Sequence, residues 1–297
     1  MAEITHRTIE ANGINLHVAE AGSGPMVLLL HGFPECWYSW RHQLTALADA
    51  GYHVVAPDQR GYGTSDAPTA IEDYDILHLT GDAVGLVDAM GAETATVVGH
   101  DWGAVVAWQA ALLHPERFSA VIAMSVPYGG RPDSAPIAGM REIFGEDFYI
   151  VRFQEPGVVD AELEADVRGS VRGALVGSVA PGEKLPDWIG EPDIDAFVES
   201  FEGSGYTGGI NWYRNMDRNW EITPQLAGAR VEQPALFLIG KQDLPFLVAG
   251  AESEGFGKSV PRLREIVWLD NCGHWTQQEK ADDVNREMIA FLAEIAD

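Results

Sequence analysis

The chain has 297 residues, of which 46% are hydrophobic and 22% charged, ordinary values for a globular protein. Its 19 Lys and Arg against 45 Asp and Glu give a formal net charge of −26, which argues against nucleic acid and membrane as partners because anionic phosphates would be repelled. Two cysteines make no disulfide framework, residues 1–10 hold no signal-peptide core, and no apolar run reaches the roughly 18 residues of a membrane span. Cys36 and Cys272 could form a single bridge, but we favour reduced thiols in a cytoplasmic protein. A monomer and a homodimer are both compatible with the sequence.

The first part of the chain alternates strand and helix patterns. Polar and apolar residues alternate over 5–10 and 14–19 around an Asn-Gly turn, which predicts an antiparallel hairpin. Continuous apolar runs and helical spacing with glycine stop signals predict the elements that follow. These are strands at 26–30 and 53–56, and helices at 37–50 and 76–90.

The same rhythm continues to residue 124, stops, and returns near the end of the chain. Strands are predicted at 94–98, 120–124, 234–240 and 265–269, and helices at 104–113 and 284–295. Residues 128–223 are rich in Gly, Pro, acidic and aromatic residues, and they predict several helices without a strand. Strand–helix alternation with short connections indicates an α/β core with a mostly parallel sheet. We expect a core domain of residues 1–127 and 224–297, with a helical cap of 128–223 inserted into it.

Residues 99–103, Gly-His-Asp-Trp-Gly, lie between a predicted strand and a predicted helix. A strand, a sharp turn flanked by small residues and a helix form a nucleophile elbow. The apex is Asp101, where esterases and lipases carry a serine. An isolated Asp after a strand is usually a helix N-cap, but the elbow context makes Asp101 a candidate nucleophile.

Two later residues complete a possible catalytic triad. Asp243 follows the predicted strand that ends at Gly240, and His274 follows the last predicted strand. The order nucleophile, acid, histidine is that of α/β-hydrolases. The alternatives are a turn cap or surface acid at Asp243 and a structural histidine at His274. For His31 and His100, which flank the same site, we favour structural roles with hydrogen bonds beneath it.

A carboxylate nucleophile points to attack at saturated carbon. Aspartate, with a pKa of about 3.9, is ionised at neutral pH and needs no base. Attack would form an ester of Asp101, and His274, oriented by Asp243, would activate water to hydrolyse it. The backbone N–H groups of Phe33 and Trp102 are the candidate donors to the oxyanion.

The leaving group decides the reaction class. A halide needs N–H donors but no proton, whereas the oxygen of an opening epoxide must be protonated or strongly hydrogen-bonded. Tyr149 and Tyr213 in the predicted cap are candidates, because a phenol with a pKa of about 10 stays protonated at neutral pH. Residue physics alone does not single out these two from the eight tyrosines, since an aromatic in a helical cap is more often a packing residue.

Motifs over nearly the whole chain resemble those of the α/β-hydrolase-fold epoxide hydrolases, especially the hydrolase domain of the soluble epoxide hydrolases. The matching segments are 31–35 (HGFPE), 37–41 (WYSWR), 99–103 (GHDWG), 153–157 (FQEPG), 211–216 (NWYRNM) and 272–277 (CGHWTQ). The resemblance implies an eight-stranded, mostly parallel sheet flanked by helices, with an inserted cap. It also implies hydrolysis of epoxides to vicinal diols and a cis peptide bond before Pro34.

The resemblance gives the candidate residues their roles. It makes Asp101 the nucleophile, His274 the base and Asp243 the orienting acid, with Tyr149 and Tyr213 as donors to the epoxide oxygen. We expect a small apolar epoxide and water as substrates, and no cofactor or metal. The expected pocket is lined by Phe33, Pro34, Trp37, Trp102 and Met216.

Two other functions stay open. A haloalkane dehalogenase shares the Asp-Trp elbow, although those enzymes commonly carry a second side-chain N–H donor where this chain has Phe33. Trp188, Trp212 or Trp220 could replace that donor. The second alternative is a non-catalytic ligand-binding member of the fold, which would have no need of a water-activating histidine.

Overall fold

An eight-stranded sheet runs through the protein, for which the computed structural model describes residues 2–177 and 183–296. In chain order the strands are β1 (Thr5–Ala11), β2 (Ile14–Gly22), β3 (Met26–Leu30), β4 (His53–Pro57), β5 (Ala95–His100), β6 (Phe118–Met124), β7 (Ala235–Gly240) and β8 (Leu263–Leu269). Their order across the sheet is β1-β2-β4-β3-β5-β6-β7-β8. β2 runs antiparallel to β1 and β4, and the remaining neighbours are parallel.

Helices cover the sheet and fill the region between β6 and β7. The helices of the core are α1 (Arg41–Asp49), α2 (Ile76–Ala89), α3 (Trp102–Leu113), α11 (Pro245–Ala251), α12 (Glu254–Ser259), α13 (Thr276–Glu279) and α14 (Ala281–Ala296). Those between β6 and β7 are α4 (Pro136–Phe144), α5 (Tyr149–Arg152), α6 (Val158–Glu164), α7 (Val167–Val176), α8 (Glu191–Ser204), α9 (Thr207–Arg214) and α10 (Met216–Ile222). Short 3-10 turns lie at Trp37–Trp40, Ile71–Tyr74 and Pro224–Leu226.

The apolar runs become strands because both faces of the sheet are covered. Every residue of β3 is buried. Its Val27 belongs to a cluster that α1 and α14 cover with Leu44 and Phe291. Its neighbour Leu28 points to the other face and joins the cluster that contains Val106 of α3. A parallel sheet covered on both faces favours continuous apolar strands over alternating ones.

The predicted fold is confirmed; the differences lie at element ends and in three short helices, α11, α12 and α13, which the sequence did not predict. The expected helix at 37–50 begins as the 3-10 turn Trp37–Trp40 before α1. The expected helix at 104–113 begins earlier, at Trp102, because the chain turns sharply at Asp101 and the helix starts at once. Local signals locate the middle of an element better than its ends.

The predicted cap region is helical wherever the structure describes it. Residues 128–177 and 183–223 contain α4 to α10 and no strand, while residues 178–182 of the predicted cap lie outside the described part. The exact domain boundaries, 127/128 and 223/224, stay predictions.

The sheet brings four loops to one edge. β3, β5, β7 and β8 are parallel, so the loops after their carboxyl ends lie together. These loops carry Phe33, Asp101, Asp243 and His274. Within the two described segments, no helix combines the length and apolar character needed to cross a bilayer.

Candidate active site

Asp101 occupies a strained turn between β5 and α3. Its backbone has φ 52° and ψ −121°, a conformation uncommon for a residue with a side chain. Side chains on either flank would not fit: a Cβ on Gly99 would overlap the carbonyl of Gly103, and one on Gly103 would overlap that of Leu30. The turn therefore needs small flanking residues, and it presents the Asp101 carboxylate at the edge of the sheet.

The Asp101 carboxylate lies against the loop that follows β3. The backbone N–H of Phe33 donates to Asp101 Oδ1 at 2.9 Å, and the Phe33–Pro34 peptide bond in this loop is cis. Burial alone would raise the pKa of Asp101, but the hydrogen bond and charge of His274, with the Phe33 N–H, hold it below its usual value. The carboxylate is thus ionised at neutral pH, as a nucleophile must be.

His274 lies between two carboxylates. Its Nε2 is 3.5 Å from Asp101 Oδ2, and its Nδ1 is 2.8 Å from Asp243 Oδ1. Burial works to lower the pKa of His274, but the hydrogen bonds and charges of the two aspartates outweigh it and raise the pKa to about 10. The histidine is therefore oriented by one carboxylate and aimed at the other.

Asp243 is fixed in turn by its own loop. Its Oδ1 also accepts the N–H of Leu244 at 2.7 Å. Its Oδ2 is buried and has no hydrogen-bond partner among the described residues. In those residues, no group of three or more His, Cys, Asp and Glu side chains is arranged to bind a metal ion.

A buried polar network lies beneath His274. The ring nitrogens of His100 contact Glu35 Oε2 and the carbonyl of His274, each at 2.7 Å. Glu35 also accepts from the N–H of Gly32 at 3.0 Å and from the amide of Gln277 at 2.8 Å. Burial raises the pKa of Glu35, but these interactions, with His100 foremost, lower it overall. The network joins the loop that holds Asp101 to the loop that holds His274.

His100 and His31 both lie where structural histidines were expected. Each is fully buried. His31 Nδ1 is 2.9 Å from the carbonyl of Gly32, and its Nε2 accepts the N–H of Gln59 at 3.0 Å. The sequence reasoning assigned no role to Glu35, although it lies in the 31–35 motif that carried the resemblance.

Two tyrosines from the helices between β6 and β7 line the same cavities as Asp101. Tyr149 begins α5 and Tyr213 lies in α9, and their ring centres are 6.0 Å apart. The Tyr213 ring packs edge-on against Trp102 at 5.0 Å. Burial, and then the negative charge of Asp101, raise the pKa of both phenols. Both hydroxyls are therefore protonated at neutral pH and available as donors.

Two cavities meet at Asp101, and Tyr149 and Tyr213 line both of them with it. The larger has a volume of about 580 Å³ and the smaller about 300 Å³. The other residues of the larger include Phe33, Pro34, Phe153, Leu163, Tyr206, Leu244, His274 and Trp275. The smaller adds Trp102, Val105, Val126, Met140, Ile150, Met216, Phe246 and Leu247. Largely apolar walls around one carboxylate and two phenols suit a small uncharged substrate.

The structure brings four of the five predicted pocket residues to these cavities and leaves one elsewhere. Phe33 and Pro34 line the larger cavity, and Trp102 and Met216 the smaller. Trp37 lines neither of them.

Trp37 packs towards the hairpin at the edge of the sheet. Its backbone N–H donates to Asp58 Oδ1 at 3.0 Å, which fixes the start of the 3-10 turn. Its ring then lies edge-on to His6 of β1 and His17 of β2, at 4.7 and 6.3 Å. The prediction that Trp37 lines the substrate pocket is therefore wrong.

The sequence reasoning missed one wall of the larger cavity. That wall comes from α7 and consists of Gly169, Ser170, Gly173 and Ala174. Small residues at a spacing of four lie on one helix face, so the pair 169 and 173 was an available signal. The spacing alone does not show that this helix face borders a cavity.

Asp101 lies in a strained turn at the carboxyl edge of a parallel sheet, and His274 lies between two aspartates. This is the arrangement of an α/β-hydrolase site. The profile described as alpha/beta hydrolase fold matches residues 25–281. The chain belongs to the epoxide hydrolases of this fold. It is 46% identical to "Epoxide hydrolase A" of Mycobacterium tuberculosis, with 98% of each chain covered.

Solved structures show the same relationship. The crystal structure of Epoxide Hydrolase A from Mycobacterium thermoresistibile matches with a TM-score of 0.92 and 47% identity over 98% of both chains. An epoxide hydrolase from an endophytic Streptomyces matches with a TM-score of 0.94 and 42% identity, covering 99% of this chain and 96% of the other. The "Bifunctional epoxide hydrolase 2" of Sus scrofa is 37% identical over 94% of this chain and 53% of its own length.

Proposed function

We propose that this protein converts small apolar epoxides to vicinal diols through an ester formed on Asp101. The observation that carries the proposal is that Asp101, His274 and the two tyrosines, Tyr149 and Tyr213, line a single apolar cavity. One reacting molecule can therefore touch the nucleophile, both phenols and the water-activating base. Membership of the epoxide hydrolases supports the same reaction.

In the first half-reaction, a carboxylate oxygen of Asp101 attacks an epoxide carbon and the carbon–oxygen bond breaks. The departing oxygen accepts hydrogen bonds from Tyr149 and Tyr213 and gains a proton. Because burial keeps both phenols protonated, they can donate to an alkoxide, which is a stronger base than a phenolate. The proton that the tyrosine pair gives up is replaced by the one that His274 holds beside the two carboxylates, which leaves His274 neutral once the ester has formed.

Ester formation then changes the state of the base. It removes the negative charge of Asp101, one of the two charges that raise the pKa of His274. The pKa falls, and neutral imidazole accepts a proton from the attacking water. The N–H of Phe33, already 2.9 Å from the Asp101 carboxylate, stabilises the oxyanion together with the N–H of Trp102. Collapse releases the diol and restores the Asp101–His274 ion pair.

The contacts of the tryptophans disfavour a haloalkane dehalogenase. Phe33 has no side-chain donor, and the indole N–H groups of Trp212 and Trp220 are bonded to the carbonyls of Arg60 and Pro132, at 3.2 and 2.8 Å. Trp188 lines neither cavity against Asp101. None of the three proposed substitutes therefore offers a second halide donor.

A diol assay tests the proposal. The purified protein is given a terminal epoxide and, separately, the haloalkane of matching chain length. We expect diol from the first and no halide from the second. Halide release without diol formation would overturn the assignment.

A single turnover in oxygen-18 water tests the ester. Because one diol oxygen comes from Asp101, the first diol released should carry no label, and Asp101 should carry it instead. Labelled diol from the first turnover would show direct attack by water.

We also propose a cytoplasmic location, a monomer or homodimer, and a cap domain of residues 128–223. The two cysteines, Cys36 and Cys272, are buried free thiols, which agrees with a reducing compartment. Light scattering after size exclusion gives the oligomeric state, and cell fractionation gives the compartment.

A further inference from the structure

The α7 wall of the larger cavity has four small residues, and the helix itself explains three of them. A Cβ on Gly169 would overlap the carboxylate of Asp166, which caps α7 by accepting the N–H of Gly169 at 2.9 Å. The hydroxyl of Ser170 donates to the carbonyl of Leu163 at 2.8 Å. Ala174 is of the residue type that helices favour most.

The fourth residue of this wall, Gly173, has no such explanation. It lies inside α7 with a negative φ, a backbone conformation that any residue can adopt. A Cβ built on it would meet no atom of another described element within 4 Å, so no neighbour needs a close approach there. Glycine weakens the interior of a helix because it loses more conformational freedom on folding than any other residue. Contacts within the described fold therefore do not account for a glycine at this position.

The space over Gly173 belongs to the cavity that holds the reacting groups. Asp101 and His274 line the same cavity, and their side chains are 14% and 17% exposed. Gly173 and Ala174 are themselves exposed, so the cavity reaches the surface of the protein at α7. Of the described residues around the smaller cavity, Tyr149 alone is exposed. A substituent too large for the smaller cavity can therefore extend from Asp101 along α7.

We propose that Gly173 sets the size of the substituent that an epoxide can carry in the larger cavity. The missing side chain leaves room beside the path from Asp101 to the surface, and an epoxide with one bulky apolar substituent places it there. A larger side chain on α7 would occupy the same space and exclude that substituent. This inference rests on the proposed function and adds a residue that determines substrate size.

Two terminal epoxides test this role of Gly173. The small probe carries an ethyl group and the large probe a biphenyl group, and the measured quantity is the ratio of kcat/KM for the large probe to that for the small one. The wild type should hydrolyse both. Gly173→Leu should lower the ratio by about tenfold or more, because the large probe loses its place while the small one stays close to Asp101. Gly173→Ala, which adds one methyl group, should lower it less.

Gly139 provides the matched control. It is also an exposed glycine inside a helix, α4, with open space where a Cβ would stand, and it lines neither cavity beside Asp101. Gly139→Leu should keep the wild-type ratio. Alanine at either glycine should leave the Tm unchanged or raise it, because alanine favours the helix and reduces the freedom of the unfolded chain.

Four results would contradict the proposal. These are an unchanged ratio in Gly173→Leu, an equal loss in Gly139→Leu, a wild type that hydrolyses only the small probe, and a Tm that falls in Gly173→Ala but not in Gly139→Ala. The last result would mean that the fold itself requires the glycine. If Gly173→Leu does not fold, the ratio in Gly173→Ala decides. In each case the small epoxide still gives diol, whereas absence of diol from both probes would overturn the proposed function instead.

Discussion

At the scale of single residues, Asp101 and His274 control each other's charge. The histidine holds the pKa of the aspartate low, and the two aspartates beside the histidine raise its pKa to about 10. In the resting protein Asp101 is therefore ionised and His274 protonated. In the proposed mechanism, alkylation of Asp101 removes one of the charges that raise the pKa of His274, so His274 can act as a base only after the ester exists.

Substitution of the base should trap that ester. His274→Gln leaves the Asp101 carboxylate and both phenols in place but removes the group that activates water. We expect intact-protein mass spectrometry after incubation with an epoxide to show one added substrate mass. Asp101→Ala, the control, should show no adduct and no turnover. An unmodified His274→Gln protein after long incubation would contradict the two-step scheme.

The two phenols should be partly interchangeable. Tyr149→Phe or Tyr213→Phe removes one of two donors to the same oxygen, so either single variant should keep a reduced rate of diol formation. The double variant should lose a further factor of about 10² or more, because no proton donor remains. Tyr52→Phe, distant from Asp101, is the control, and full activity in the double variant would exclude the tyrosines from the mechanism.

The raised pKa of His274 also predicts how stability depends on pH. A group whose pKa rises on folding, here from about 6.5 to about 10, stabilises the native state fully below the lower value and loses that contribution as pH approaches the higher one. The Tm of the wild type should therefore fall more steeply between pH 7 and pH 10 than the Tm of His274→Gln. If the Tm of the two proteins changed with pH in the same way, His274 would not be charged in the folded protein.

At the scale of elements, one arginine joins α9, which carries Tyr213, to the residues that follow α5, which carries Tyr149. Arg214, which follows Tyr213 in α9, donates to the carbonyl of Phe153 at 2.9 Å and to Asp160 Oδ1 at 3.0 Å. The side chains of Arg214 and Asp160 are only 4% and 5% exposed. The segments 153–157 and 211–216, far apart in sequence, are thus one structural unit.

Loss of this arginine should destabilise the protein strongly. Arg214→Met leaves the Asp160 carboxylate buried without its partner, which costs about 3–5 kcal/mol for pairs of this kind. Lys258→Met removes an exposed partner of Glu254 and should cost at most about 0.5 kcal/mol. Denaturant unfolding measures both, and equal losses would show that burial of the Arg214 pair has no special effect.

The elements themselves were largely readable from the sequence. Apolar runs such as 26–30 predict buried strands because both faces of the sheet are covered, and that coverage leaves a signal in consecutive residues. Trp37 was misplaced because an aromatic beside a motif carries no information on the direction of its side chain. The position of α7 against the larger cavity was not predictable, since it arises only from the packing of separate elements.

At the scale of the whole molecule, the excess of acidic residues sets how the protein responds to salt. A formal net charge of −26 makes the folded chain repel itself. Salt shortens the range of this repulsion to about 10 Å at 0.1 M. The Tm should therefore rise by a few degrees from very low salt to physiological ionic strength, equally in sodium and potassium chloride. A falling Tm would mean that surface ion pairs dominate.

The unequal size of the two cavities at Asp101 has a consequence for handedness. Attack from the side opposite the departing oxygen inverts the attacked carbon, and cavities of about 580 and 300 Å³ give the two ends of an epoxide different room. Each substrate orientation exposes a different carbon to the carboxylate. Even a cis epoxide with two identical substituents therefore presents two distinguishable carbons to this protein, so that this optically inactive substrate should leave as a diol with one mirror form in excess.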